Sequence, residues 1–316
     1  MQTVLKKLTR FLVLGLLFWL PQERKIRIDR WLRGREEYRK LKHADGVIVS
    51  FGKSGRTWLR VMLSRFYQVK HGLGERHLIG FDNLHRKNRA IPRLFFTHDN
   101  YLKDYTGNRD SKADFYDKKV VLLVRNPLDV AVSQFFQWQY RMRPGKKALN
   151  EYPEHGSDVD IHDFVMSPTA GLPKIIDYMN LWAKESNKIG SLLVVRYEDM
   201  RSNTADVLEK VVTFLGTPGN DKEVAEAVRF ASVENMRNME TKRTFWLSGS
   251  RMLAKDRSNP DSFKVRKAKV GGYRDYFNAE QIAAMQALVR KQLDPLFGYQ
   301  SEADSSPAVE STSTAS

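Results

Sequence analysis

The loop at residues 51–58 contains residue types that together could hold an anion. It follows an apolar run typical of a buried strand and precedes a pattern typical of a helix, and its two glycines allow a tight turn close to a ligand. Backbone N–H groups converge at the start of such a helix, where phosphate or sulfate is favoured. Among its side chains, Lys53 adds a mobile positive charge, and Ser54 and Thr57 add hydroxyl donors.

A nucleotide-binding loop of the form G-x-x-x-x-G-K-[ST] is the main alternative for this segment. Its second half fits, but Val47 stands where the first glycine belongs, and Gly46 comes one residue too early. A later apolar run ends at Arg125, where such proteins carry an acid that binds Mg²⁺. A Mg²⁺-nucleotide site is therefore disfavoured on two independent grounds.

Two further segments carry side chains suited to phosphate. The first begins at Arg125, which follows a predicted strand, and includes Ser133 eight residues later on a predicted helix. An Arg side chain offers forked contacts to phosphate oxygens, and a Ser side chain offers a single hydroxyl. The second segment, residues 266–273, begins with a pair of cations, Arg266 and Lys267.

In this order, the three segments resemble those of the cytosolic-type sulfotransferases, which move a sulfuryl group from 3′-phosphoadenosine 5′-phosphosulfate (PAPS) to an acceptor hydroxyl. The order Lys-Ser-Gly-x-Thr-Trp is similar to the family's 5′-phosphosulfate loop, and the segment from Arg125 to Ser133 is similar to its 3′-phosphate segment. Residues 266–273 resemble its signature Arg-Lys-Gly-x-x-Gly-Asp-Trp. The departures from that signature are Ala268, Gly272 and Tyr273.

The resemblance implies a donor-binding site for PAPS. Trp58 would stack on the adenine, and Tyr197 would line the adenine pocket together with residues 231–233. Arg56 stands where the family usually has Thr. The residues that the resemblance implies for donor binding are Lys53, Ser54, Gly55, Arg56, Thr57, Trp58, Arg125, Ser133, Tyr197, Ser232, Arg266 and Lys267.

His98 is the candidate for the catalytic base. It ends a predicted strand, at the sheet edge where open α/β folds bind ligands, and it matches the family's Lys-Thr-His segment with Phe96 in place of Lys. We expect His98 to take the acceptor proton, and Lys53 to stabilise charge on the leaving phosphate oxygen without a metal. The resemblance further implies that Ser133 bonds to Lys53 before the acceptor arrives, which restrains hydrolysis.

The order of apolar runs and helical patterns predicts the fold. Strands are expected at residues 46–51, 93–97, 119–124 and 191–196, with helices between them, including one at 127–140. This alternation predicts a three-layer α/β domain with a mainly parallel sheet flanked by helices, similar to P-loop NTPases. We assign the catalytic domain to residues 46–298, and a disordered tail, rich in Ser and Thr, to residues 299–316.

Residues 1–45 form a basic and apolar N-terminal segment with twelve Lys and Arg against five Asp and Glu. Its short apolar run, residues 11–20, is too short to span a bilayer, which takes about 20 residues. Basic residues with apolar anchors suit an anionic membrane surface. We expect this segment to associate with a membrane; the alternative is a helix that packs on the main domain.

The whole chain of 316 residues carries a net charge of +16 and contains no cysteine, which excludes disulfides and thiolate catalysis. The expected partner is a hydroxyl-bearing acceptor, with a lipid, glycolipid or carbohydrate favoured; no nucleic acid is expected, and the oligomeric state is open. The expected location is the cytoplasm or the cytoplasmic face of a membrane. The alternatives are a P-loop nucleotide-dependent kinase and a non-catalytic basic protein that binds nucleic acid or membranes.

Overall fold

The central feature of the molecule is a four-stranded parallel sheet. The structure, a computed structural model, describes residues 15–245, 256, 258–266 and 269–300. The strand order is β2-β1-β3-β4, and all neighbours are parallel. The strands are β1 (Gly46–Val49), β2 (Leu94–Thr97), β3 (Lys119–Val124) and β4 (Ser191–Arg196). The sheet with helices on both faces confirms the predicted α/β class.

Twelve α-helices accompany the strands in the described part of the chain. In chain order they are α1 (Gln22–Lys42), α2 (Arg56–Lys70), α3 (Leu102–Thr106), α4 (Pro127–Phe136), α5 (Pro144–Leu149), α6 (Ile161–Met166), α7 (Leu172–Glu185), α8 (Tyr197–Ser202), α9 (Thr204–Phe214), α10 (Asp221–Phe230), α11 (Val233–Lys242) and α12 (Ala279–Gln292).

Alternate residues of the strands enter two separate apolar cores. Ile48 of β1 packs with residues of α2, α9, α10 and α11, whereas its neighbours Val47 and Val49 pack with residues of α4, α7 and α12. Successive side chains of a strand point to opposite faces, so a parallel strand covered on both faces is apolar throughout. This explains why all four residues of β1 are buried.

One helix ends earlier than the sequence predicts. The pattern over residues 127–140 predicts a single α-helix, but α4 ends at Phe136 and a π-helical turn follows at Gln137–Arg141. Such wider turns are rare and are frequently found at functional sites. Here the turn carries Arg141, whose guanidinium meets the buried carboxylate of Glu240 at 3.2 Å.

Helix α1 packs on the part of the chain that follows it. Gly34 is buried against Tyr101 and Tyr105, and Nε of Arg30 donates to Asp104 at 3.0 Å. This is the docked arrangement that the sequence left as an alternative for the basic segment. Among the described helices, none is both long and apolar enough to cross a membrane.

Gly34→Ala tests the docking of α1. A Cβ at this position would lie 2.3 Å from the carbonyl oxygen of Tyr101 and 2.8 Å from Cβ of Tyr105, so the helix has to move. We expect the free energy of unfolding, measured with urea, to fall by about 1–3 kcal/mol. Gly145→Ala in α5 is the matched control, because its Cβ would meet nothing within 4 Å. Equal stability of both variants would contradict the packing.

Candidate active site

The four strands end at one edge of the sheet, and a candidate residue follows each of them. Because the strands are parallel, their carboxyl ends share this edge. The 51–58 loop follows β1, His98 follows β2, Arg125 follows β3 and Tyr197 follows β4. The topology therefore gathers residues that lie up to about 150 positions apart in the chain, at the place where open α/β sheets bind ligands.

The loop after β1 has the tight left-handed geometry that its glycines predict. Gly55 caps α2 with φ +92°, and Lys53 also has a positive φ of +73°. A Cβ on Gly55 would lie 2.6 Å from the Tyr197 ring, so no other residue fits without displacing that ring. The loop thus ends at the N-terminus of a fifteen-residue helix, whose dipole and N–H groups favour an anion.

Aromatic side chains line one side of the cavity beside the loop. The rings of Trp58 and Tyr197 lie 5.9 Å apart at an angle of 66°, and the Trp58 indole donates to the carbonyl oxygen of Ala231 at 2.8 Å. The Arg125 guanidinium lies 4.4 Å from the centre of the Tyr197 ring. Flat apolar faces held next to an Arg suit an adenine with a nearby phosphate.

Two buried carboxylates, neither of them among the predicted site residues, hold the C-terminal segment that carries Arg266. Asp129 accepts from the backbone N–H groups of Gly271 and Tyr273 at 2.9 and 3.0 Å and pairs with Arg125 at 3.2 Å. The sequence signal that could have revealed it is an acid four residues after Arg125, in the first turn of the predicted helix.

Glu240 holds the other end of this segment. It is 1% exposed and accepts from the backbone N–H of Lys264 at 2.8 Å and from that of Val265 at 3.3 Å, besides its pair with Arg141. Both carboxylates therefore bind backbone N–H groups of described residues beside the cavity, Glu240 those of Lys264 and Val265, and Asp129 those of Gly271 and Tyr273. Sequence patterns give no sign of this, apart from an acid among buried positions of α11.

Lys53 lies among other cations. Burial lowers the pKa of Lys53 to about 7, and the charges of Arg141, Arg125 and Arg266 lower it in the same direction. The Arg266 guanidinium lies 3.7 Å from the centre of the Phe136 ring and bonds to the Tyr276 hydroxyl. Like charges this close repel one another, so an anionic ligand between them is favoured.

His98 has the hydrogen-bonding state of a base. Its Nδ1 lies 2.8 Å from the carbonyl oxygen of Ser50, and because a carbonyl can only accept, Nδ1 carries the proton. In the neutral ring, Nε2 then holds the lone pair. Burial, together with the charge of Arg56, holds the pKa of His98 well below its usual range, so the ring is neutral at pH 7.

One cavity of about 2290 Å³ brings most of the predicted residues together. Ser54 is buried and Ser232 caps α11 through Asn235, and neither lines this cavity; Lys267 lies outside the described residues. In the described ranges, no group of three or more His, Asp or Glu side chains is arranged to hold a metal ion. The predicted residues that line the cavity are Lys53, Gly55, Arg56, Thr57, Trp58, His98, Arg125, Ser133, Tyr197 and Arg266.

Comparison with known proteins identifies the family of the chain. The sequence model of the sulfotransferase domain family matches residues 43–297. The amine sulfotransferase of Oryctolagus cuniculus is 23% identical over 270 residues, which cover 80% of this chain and 82% of that protein. Mouse sulfotransferase SULT7A1, solved with 3′-phosphoadenosine 5′-phosphate (PAP), shares the fold with a TM-score of 0.54 and 23% identity, over 81% of this chain and 89% of that one.

A second solved structure, retinol dehydratase in complex with androsterone and PAP, has a TM-score of 0.51 and 18% identity, over 78% of this chain and 80% of that one. Since the family match covers most of the chain, the chain belongs to the sulfotransferase domain family. This confirms the predicted family and the predicted enzyme class, a sulfotransferase. It excludes the alternatives of a nucleotide-dependent kinase and of a non-catalytic binding protein.

The depressed pKa of Lys53 predicts that PAP binding takes up protons at about pH 8. With a pKa of about 7 the free lysine is then mostly neutral, and a bound anion raises that pKa, so the amine takes up a proton. At about pH 6 the amine is already charged and the uptake disappears. Calorimetry in buffers of different ionisation enthalpy measures this proton, and Lys53→Met reduces it. An enthalpy that is the same in all buffers at about pH 8 would show the prediction to be wrong.

Proposed function

We propose that this sulfotransferase uses PAPS as its donor and binds it across the edge of the sheet described above. The observation that carries this proposal is that the loop at residues 51–58, Arg125 and Arg266 line one cavity together with the Trp58–Tyr197 pair. We assign the loop to the 5′-phosphosulfate, and Arg125 and Arg266 to the 3′-phosphate. The PAP held by SULT7A1 and by retinol dehydratase supports the same ligand here.

In the proposed reaction, Nε2 of His98 takes the proton from the acceptor hydroxyl. The oxygen then attacks sulfur in line, and the bond between sulfur and the 5′-phosphate oxygen breaks. Lys53 and the N–H groups of the loop stabilise the charge that this oxygen takes up, and PAP leaves as the product. Ser133 lines the same cavity and is proposed to hold Lys53 before the acceptor binds.

His98→Ala tests this mechanism in transfer assays with sulfur-labelled PAPS and panels of lipid and carbohydrate acceptors. We expect transfer to fall by a factor on the order of 10² to 10⁴, because general base catalysis contributes about that much. The affinity for PAP is expected to stay unchanged. His155→Ala is the control, since His155 is exposed and does not line the cavity. Normal turnover of His98→Ala would exclude this histidine as the base.

For the acceptor we propose a hydroxyl of a lipid, glycolipid or carbohydrate, and for the location the cytoplasm or the cytoplasmic face of a membrane. The absence of cysteine from the sequence fits a reducing compartment. Support for a membrane surface comes from Leu16, Phe18 and Trp19, which are 75%, 78% and 68% exposed at the described start of the chain. They precede the basic helix α1, as in interfacial anchors.

Co-sedimentation with vesicles tests this surface. We expect the protein to bind vesicles that contain anionic lipid, and we expect replacement of Phe18 and Trp19 by Ser to weaken binding by about tenfold or more, because both large apolar side chains lose their insertion energy. Trp31→Ser, which changes an exposed aromatic residue on the docked helix, is the control. Equal binding of all three proteins, or no binding of the wild type, would contradict membrane attachment.

A further inference from the structure

A buried ion pair lies directly beside the proposed base. Asp99 follows His98 in the chain, and its carboxylate meets the ammonium group of Lys112 at 2.6 Å. The two side chains are 5% and 8% exposed, and both residues line the cavity. Burial raises the pKa of Asp99, and the charge and hydrogen bond of Lys112 oppose that rise. The Asp99 carboxylate therefore depends chiefly on Lys112 for its charge, and neither residue has a part in the donor site described above.

The turn that carries His98 has an uncommon backbone conformation. Asp99 has a φ of +55°, in the left-handed region that Asp and Asn tolerate better than most other residues. Its backbone N–H donates to the hydroxyl of Thr97 at 2.8 Å, which closes the turn around His98. Such a conformation persists only where the surrounding structure holds it. The ion pair with Lys112 ties this turn to a distant part of the chain.

Lys112 is itself anchored to helix α7. Its backbone N–H donates to the carboxylate of Glu185, the last residue of α7, at 3.3 Å. Its ammonium group lies 5.0 Å from the centre of the Trp182 ring and 5.9 Å from that of the Tyr178 ring, and both rings belong to the same helix. Cations are attracted to aromatic faces at such distances. The tie to the His98 turn therefore ends on a helix of the core.

The same helix supports the group that orients the His98 ring. Tyr178 packs edge-on against Phe51, with 5.3 Å between the ring centres. Phe51 follows Ser50, whose carbonyl oxygen lies 2.8 Å from Nδ1 of His98. Helix α7 thus contacts both the segment that holds the imidazole and, through the ion pair, the turn that carries its backbone.

Resting on the proposed function, in which His98 is the base, we propose that Asp99 and Lys112 are positioning residues. Their ion pair holds the turn so that Nδ1–H stays on the Ser50 carbonyl and the lone pair stays on Nε2. A neutral imidazole has one N–H and one lone pair, so its tautomer decides whether Nε2 can accept a proton. When the turn relaxes, the bond to Ser50 weakens, and the proton can move to Nε2 and block the base.

The test is nitrogen NMR of the His98 ring in the full-length protein, assigned by the signals that disappear in His98→Ala. In Lys112→Met we expect Nε2 to shift toward the value of a protonated nitrogen and Nδ1 toward that of an unprotonated one, while PAP affinity stays unchanged. Sulfuryl transfer is expected to fall by about tenfold or more, because small displacements of a reacting group are costly, and Lys112→Arg recovers part of it.

Arg93→Met is the matched control. Arg93 pairs with Asp45 at 2.8 Å where β1 and β2 begin, at the opposite end of the strand that leads to His98, and neither residue lines the cavity. We expect the His98 nitrogen shifts of this variant to equal those of the wild type. The double variant Asp99→Asn with Lys112→Met serves if Lys112→Met does not fold, because it buries no charge and Asn tolerates the same backbone. It is expected to show the altered ring.

Wild-type nitrogen shifts of His98 in Lys112→Met, or in the double variant, would overturn the positioning role. An equal change in Arg93→Met would overturn it as well, because the effect would then follow the loss of any ion pair on this strand. Normal transfer by His98→Ala contradicts the proposed function instead, whereas unchanged ring shifts contradict the positioning role alone.

Discussion

Repulsion among buried cations is the physical constraint on which the site depends. Lys53, Arg125, Arg141 and Arg266 are gathered at one edge of the sheet, closely enough that they, together with burial, lower the pKa of Lys53 to about 7. Such a cluster raises the free energy of the protein without ligand and is relieved by an anion. An anionic ligand that binds between these cations therefore stabilises the folded site.

Two carboxylates make this arrangement stable. Asp129 pairs with Arg125 and binds the backbone near Gly271, and Glu240 pairs with Arg141 and binds the backbone at Lys264. Each one pairs with a cation and also binds backbone N–H groups of a stretch of chain that lies outside the α-helices and strands. Buried charges are tolerated when they are paired and hydrogen-bonded in this way. Asp129 and Glu240 therefore position the side chains of Arg125 and Arg141. Lys53 lines the cavity beside them.

The features that the sequence could predict are local. The apolar runs of the four strands, the glycine loop and the position of His98 after a strand all depend on neighbours in the chain, and patterns of period 2 and 3.6 report them. The contacts of Asp129 could not be predicted in this way. Asp129 accepts hydrogen bonds from the N–H groups of Gly271 and Tyr273, which lie 142 and 144 positions later in the chain. The early end of α4 at a π-helical turn and the docking of α1 on Tyr101 likewise depend on tertiary packing.

We propose that the edge of the sheet binds PAPS without a metal ion. This proposal is tested by calorimetric binding of PAP in the presence of a chelator, with Mg²⁺-ATP as the comparison ligand. We expect a Kd on the order of micromolar or tighter for PAP, a loss of affinity of about tenfold or more in Arg125→Ala, and much weaker binding of Mg²⁺-ATP. Absence of PAP binding, or a preference for Mg²⁺-ATP, would contradict it.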